Sequence, residues 1–132
     1  MLVEYINIKR RHTLHASEFS SLHLPANYLA LLEAPPPGRA WLVRHVLTCQ
    51  AAEPAISVVS GGSFRICYEG STVNIITPVD ASDITGSARC FALLPHSHQL
   101  QFNAAVQLSA SSELTTPLDD LEILVIADLV RQ

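Results

Sequence analysis

The clearest regularity along the chain has a period of two. Leu100, Phe102, Ala104, Val106 and Leu108 alternate with Gln99, Gln101, Asn103, Ala105, Gln107 and Ser109, the pattern of a strand with one face buried and one wet. Phe64, Ile66 and Tyr68 alternate likewise with Ser63, Arg65, Cys67 and Glu69, and Ser60-Gly61-Gly62 supplies a turn leading in from Ile56 to Val59, so a hairpin is expected there. Shorter apolar runs at 2–8, 41–49, 72–79 and 88–94 are bounded by Pro35-Pro36-Pro37-Gly38, Glu69-Gly70-Ser71, Pro78 to Gly86, and Pro95. Many short strands separated by turns, with no internal repeat or low-complexity linker, predict an all-β chain folded as a single antiparallel β-sandwich of about eight short strands.

Three segments depart from this period. Ala26 to Ala34 consists largely of helix formers that Asn27 could cap, so a helical turn or two competes with a strand; strand is the reading adopted. Thr116-Pro117-Leu118-Asp119-Asp120 has the make-up of a helix start, but Leu121 to Ile126 is rich in β-branched residues and reads as a strand buried on both faces. Residues 9–25 carry Lys9, Arg10, Arg11, His12, His15 and His23 without sustained periodicity and read as an N-terminal arm or long loop. The chain thus divides into residues 1–25, an N-terminal arm with the first strand, and residues 26–132, the β-sandwich domain. Lys9, Arg10, Arg11, His12 and His15 are the candidate interface residues: an arm reaching across a neighbour would set its cations on that neighbour's acidic surface. The alternative is a solvated loop that pads one end of the sandwich.

Composition changes the picture in one respect. Of the 132 residues, 48% are hydrophobic and 15% charged, where an ordinary soluble domain carries about 25% charged. So thin an ionic coat implies that neighbouring chains cover part of the surface. The mean hydropathy of +0.27 excludes disorder. The net charge of −4 is polarised: residues 1–65 hold six Lys/Arg against four Asp/Glu, and residues 66–132 hold two against eight. Cys90 to Ser112 lacks formal charge, but Pro95, His96, His98, Gln99, Gln101, Asn103 and Gln107 interrupt it, so no membrane segment is expected. Met1 to Arg11 places apolar residues before basic ones, the reverse of an export signal. Cysteines at 49, 67 and 90 are widely spaced, without a CxxC pair; neither a disulfide framework nor a zinc ribbon is expected, and a reducing cytoplasm is the natural place of synthesis.

No catalytic signature emerges. His96 and His98, two apart, would point to one side of a strand and could chelate a metal, but no spacing signals a third ligand, so a polar turn and no cofactor are expected. There is no Gly-x-Ser-x-Gly elbow, and nothing in the sequence around Cys67 or Cys90 marks an activated thiolate. His45, inside an apolar run, reads as a hydrogen-bonded core or interface residue. Asp119, Asp120 and Glu122 follow a turn signal and read as a solvated loop or cap. Gly61 and Gly62 lack the lysine and following helix of a phosphate loop. Lys9-Arg10-Arg11 is too short, in an acidic chain, to mark nucleic-acid binding. Trp41 reads as a core anchor, with carbohydrate stacking as the alternative.

From Pro36 onward the order of features resembles the small β-sandwich structural proteins of tailed bacteriophages. The residues concerned are Pro36-Pro37-Gly38-Arg39-Ala40-Trp41-Leu42-Val43-Arg44-His45-Val46, the hairpin about Ser60-Gly61-Gly62, Leu93 to Ala104, and the closing Leu121 to Val130, about three-quarters of the chain. One departure is Pro95-His96-Ser97-His98, where such proteins often carry a Gly-Asp turn. The resemblance implies a jelly-roll-like, non-enzymatic virion protein made in the host cytoplasm. Its partners would be its own copies, as a homotrimer, and a major capsid or tail protein, with no nucleic acid and no membrane. A capsid decoration or cement role is the first implied reading; the second is a tail or fibre component, including a glycan- or receptor-binding module that uses Trp41, Tyr28 or Tyr68 for stacking. The arm and the loops near 80–87 and 110–119 are the expected contacts, and removing residues 1–15 is expected to leave the sandwich folded.

Overall fold

A computed structural model describes residues 2–50, 63–70, 75–80, 90–93, 99–114 and 120–132. Among the described residues there are eight strands: β1 (Leu2–Leu14), β2 (Leu29–Leu32), β3 (Arg39–Gln50), β4 (Ser63–Tyr68), β5 (Ile75–Asp80), β6 (Cys90–Leu93), β7 (Val106–Ala110) and β8 (Leu121–Arg131). They form two antiparallel sheets, in the orders β1-β8-β3-β6 and β2-β7-β4-β5. Four of the pairings join first with last, second with seventh, third with sixth and fourth with fifth. That is one long antiparallel ribbon folded back on itself. The ribbon is then rolled, and β3·β8 and β4·β7 close the roll sideways. The expected sandwich is therefore present, and its topology is that of a jelly roll.

The core lies between the sheets. Trp41, Val43 and Val46 of β3 and Leu121, Ile123, Val125 and Ala127 of β8 face Phe64, Ile66 and Tyr68 of β4 and Val106 and Leu108 of β7. Leu14, Phe19 and Leu22 close one end; the Phe19 ring meets Phe64 edge-on, with centroids 6.0 Å apart, a favoured aromatic geometry. Two hydrogen bonds tie the layers. Tyr68 Oη on β4 donates to the Trp41 carbonyl on β3 at 2.7 Å, and Trp41 Nε1 donates to the Glu33 carbonyl, just past β2, at 2.8 Å.

Several expectations need correction. Residues 9–14 are not arm or loop: they continue β1, which pairs with β8 from Leu2↔Arg131 to Leu14↔Leu121, and a 3₁₀ turn at Ala16–Ser21 follows, with Phe19 buried. An edge strand keeps charge on its outward positions, which hides the period in a sequence window. Removing residues 1–15 would therefore strip a whole strand from β8. The alternating run at 99–109 becomes strand only from Val106. Asn103 takes a left-handed φ of 64°, accepts the Gly38 N–H on Oδ1 and donates its own N–H to the Arg39 carbonyl, both at 2.7 Å. The chain turns there, although Leu100 and Ala104 still pack on the core. In the 26–34 segment, Leu29–Leu32 is strand, and a 3₁₀ turn at Pro25–Asn27 precedes it. β8 alternates in burial over Leu121 to Ile126 and is buried on both faces only from Ala127 to Val130. The strand Ser63–Tyr68 is present, paired with β5 and β7; Ile56 to Val59 and the Ser60-Gly61-Gly62 turn lie outside the described residues. Cys49 is disulfide-bonded, contrary to the expectation that no disulfide fits, because β3·β6 pairing sets it opposite Cys90. Cys67 is a free, buried thiol.

Candidate assembly face

The three long strands of the first sheet present a regular outer face. Residues directly opposite in a ladder share a face, so Lys9↔Ile126↔His45 forms one row, Arg11↔Leu124↔Leu47 the next and Thr13↔Glu122↔Cys49 a third. All nine are exposed or half-exposed, whereas their strand neighbours Val46, Thr48, Ile123 and Val125 are buried. The face thus carries an apolar stripe, Leu47, Leu124 and Ile126, between Lys9 and Arg11 on one side and His45 on the other. A shallow depression of about 350 Å³ lies over Arg11, Leu47, Cys49, Glu122 and Leu124. Thr13 Oγ1 lies 2.9 Å and 3.0 Å from the two Glu122 carboxylate oxygens. Among the described residues neither Lys9 nor Arg11 takes part in an ion pair.

Asp128 fixes which residues reach this face. It is 3% exposed on the central strand β8, and its carboxylate accepts the Asn7 N–H at 2.9 Å and Arg44 Nε at 2.8 Å. Both donors sit in register shifts, between Tyr5 and Ile8 on β1 and between Val43 and His45 on β3. Each is a bulge, an extra residue that re-aims the side chains beyond it. The bulge at Arg44 lets Val43 and Val46, three apart, both enter the core, and turns His45 outward. His45 is accordingly exposed rather than a core residue. The bulge at Asn7, whose φ is 53°, leaves Tyr5 and Ile6 63% and 69% exposed beside Leu2 and Val3 on the sheet edge. The start of the edge strand thereby adds apolar surface next to an ion-paired corner. There Glu4 receives Arg39 Nε at 3.0 Å and Nη2 at 3.1 Å, and this hydrogen bonding holds its carboxyl below the usual value.

Strand alternation divides the candidate interface residues. Lys9 and Arg11 stand on the outer face. Arg10 turns toward β2 and lies 3.5 Å from Glu33, and His12 Nε2 lies 2.6 Å from the Leu31 carbonyl. His15 Nδ1 lies 3.2 Å from Asp120 Oδ2, while Asp120 Oδ1 accepts the Ala16 N–H at 2.7 Å; that backbone donor, with His15, holds the Asp120 carboxyl below its ordinary value. Sequence reading missed the apolar partners of the face, Leu47, Leu124 and Ile126. The sequence signal is two apolar runs, 41–49 and 121–126, and only the register of β3·β8 joins them.

Other sequence candidates fall elsewhere. Trp41 is 3% exposed and Tyr68 0%, so neither can serve as a sugar-stacking platform; burial pushes the Tyr68 hydroxyl up to about 12. Tyr28 is half-exposed. Among the described residues no group of three or more His, Cys, Asp or Glu could hold a metal ion. His96, His98, the 80–87 loop from residue 81 and Asp119 lie outside the described residues. No described helix is long and apolar enough to cross a membrane.

No protein family and no curated protein matches the sequence. Solved structures do. The chain is similar to one in the cyanophage Pam1 capsid asymmetric unit, with a TM-score of 0.55 and 14% identity over 97% of this chain and 89% of that one. It is also similar to one in the acidic stable capsid structure of Helicobacter pylori bacteriophage KHP30, with a TM-score of 0.52 and 12% identity over 99% of this chain and 97% of that one. At these identities the likeness is one of fold, and it spans nearly the whole of each chain.

Proposed function

We propose that this chain is a non-enzymatic structural protein of a phage virion, made in the host cytoplasm, that decorates or cements the capsid as a homo-oligomer, read as a trimer from the family resemblance. The observation that carries the reading is the outer face of β1-β8-β3. On a jelly roll of this size it leaves Leu47 exposed and Leu124 and Ile126 half-exposed beside Lys9, Arg11 and His45, in a chain otherwise poor in charge. Such a face fits a neighbouring copy or the major capsid protein, apolar stripe on apolar surface and cations on an acidic rim. The fold shared with two phage capsid chains supports a virion component. Many repeated weak contacts would then stabilise the particle.

Co-sedimentation with particles of the phage that encodes the chain tests this. The wild-type protein is expected on the particle, and Leu47→Asp with Leu124→Asp is expected to lower its attachment by on the order of tenfold, as the loss of buried apolar contacts at the centre of an interface requires. Unchanged attachment of the double variant, or imaging that finds the protein on the tail alone, would overturn the decoration role.

A further inference from the structure

We propose that Cys49 and Cys90 form an oxidation-driven staple that fastens the edge strand β6 to β3. β6 spans only Cys90–Leu93 and, among the described residues, is the outermost strand of its sheet and pairs with β3 alone, from Val46↔Leu93 to Cys49↔Cys90. The pair sits at the end of this short ladder where residues 50–89 leave β3 and return to β6. Directly opposite residues on antiparallel strands have Cα atoms about 4.5–5.5 Å apart, inside the span a disulfide bridges. Cys49 is disulfide-bonded. The remaining cysteine, Cys67, is a free thiol buried in the other sheet, where burial raises its pKa, so it is a poor competitor for the exchange.

The chemistry needs a small-molecule disulfide as oxidant. The thiolate of one cysteine attacks that disulfide and releases half of it as a thiol; the second cysteine then attacks the mixed disulfide and releases the other half. Two protein thiols become one S–S bond, the oxidant's S–S bond becomes two thiols, and two electrons pass to the oxidant. In a reducing compartment the thiols persist; outside it the staple closes the long excursion through β4 and β5. This inference is independent of the capsid reading, since it concerns the chain alone.

The test uses the full chain, purified under reductant and then incubated with oxidised glutathione. Intact mass is expected to fall by two hydrogens, and non-reducing peptide mapping to join Cys49 to Cys90 with Cys67 still free. Thermal unfolding of the oxidised form is expected on the order of 10 °C above the reduced form, because the cross-link constrains a long loop of the unfolded chain. Cys90→Ser should abolish the difference and Cys67→Ser should keep it. Glutathione adducts without a cross-link, a bond through Cys67, or equal melting of the two forms would overturn the proposal.

Discussion

On the outer face of β1-β8-β3, the residues opposite one another are long and largely apolar or cationic, and they stand open. On the outer face of β4 and β7 the corresponding rows are Arg65↔Ser109 and Cys67↔Gln107, and there Ser109 is 1% and Cys67 4% exposed. These polar groups are partly satisfied among themselves, although Arg65 Nε is buried without a partner among the described residues. Ser109 Oγ lies 3.5 Å from the Arg65 carbonyl, and Arg65 Nη2 donates to the Ala110 carbonyl at 3.4 Å. The Ser109 side chain hydrogen-bonds the Cys67 thiol and Arg65 lies close to it, both opposing the rise that burial causes in its pKa. The two sheets share one core but differ in what they leave outside. Among the described residues of these rows the exposed apolar side chains stand on the long-stranded sheet, and under the proposed function that is the sheet a neighbour would cover.

The largest expected effect tests whether the inner faces are the common foundation. Phe64, 1% exposed on β4 and packed edge-on against Phe19, should cost about 3–5 kcal/mol when changed to Ala, the usual loss for a buried aromatic. Leu124→Ala, on the open face, should cost under about 1 kcal/mol, since only partial burial is lost. Urea denaturation of the two variants checks the contrast. Equal losses would mean that Leu124 is core rather than docking surface, and the comparison between the sheets would fail.

A smaller effect probes the hydrogen bond that joins the sheets. Burial pushes the Tyr68 hydroxyl from its ordinary 10.0 up to about 12. Between those values the unfolded chain has released this proton while the folded chain retains it, so stability falls as pH rises. Below pH 10 the raised value costs nothing. Two pH units at 1.36 kcal/mol each give about 2–3 kcal/mol of loss by pH 12. Tyr68→Phe should flatten this alkaline limb while losing the bond to the Trp41 carbonyl, worth about 1 kcal/mol at neutral pH. Denaturation midpoints between pH 9 and 11 in both proteins test it, and an unflattened limb in the variant would contradict the role given to Tyr68.

Much of the fold is legible because a half-buried strand writes its period into the chain. β4 lies where alternation puts it, β3 and β8 lie where apolar, β-branched runs after turn residues put them, and the sandwich follows. What is not legible comes from long-range pairing. The polar character of residues 9–14 masks a strand because β1 is at a sheet edge, with Lys9 and Arg11 outward and Arg10 and His12 satisfied by Glu33 and the Leu31 carbonyl. His45 reads as core or interface, and the core alternative falls only when Asp128, distant in sequence, is seen to hold the Arg44 bulge beside it. The run from Gln99 keeps the arithmetic of a strand, but Asn103 takes a left-handed turn to satisfy Gly38 and Arg39, a preference of Asn that alternation does not register. The candidate face needed the register itself: Leu47 and Leu124 are adjacent only through β3·β8.

The smallest effect concerns the junction where β1 gives way to its 3₁₀ turn. Asp120, just before β8, accepts the Ala16 N–H and lies against His15, and the backbone donor is the larger cause of its lowered pKa. A carboxylate with a lowered folded pKa stabilises the fold above its unfolded value, and the contribution is lost as pH falls through the folded value. The loss therefore falls below the ordinary aspartate value of 3.8. Asp120→Asn keeps an acceptor for the Ala16 N–H but removes the charge, so its denaturation midpoint should fall less than that of the wild type between about pH 4 and 2. The screened, surface position of Asp120 keeps the difference small. The same substitution leaves Lys9 and Arg11 in place, so attachment to particles at neutral pH should not change. A variant that kept the full acid sensitivity of the wild type would show that Asp120 does not anchor the junction, and one that lost attachment would show that the contact surface extends beyond the open sheet to the end of the roll.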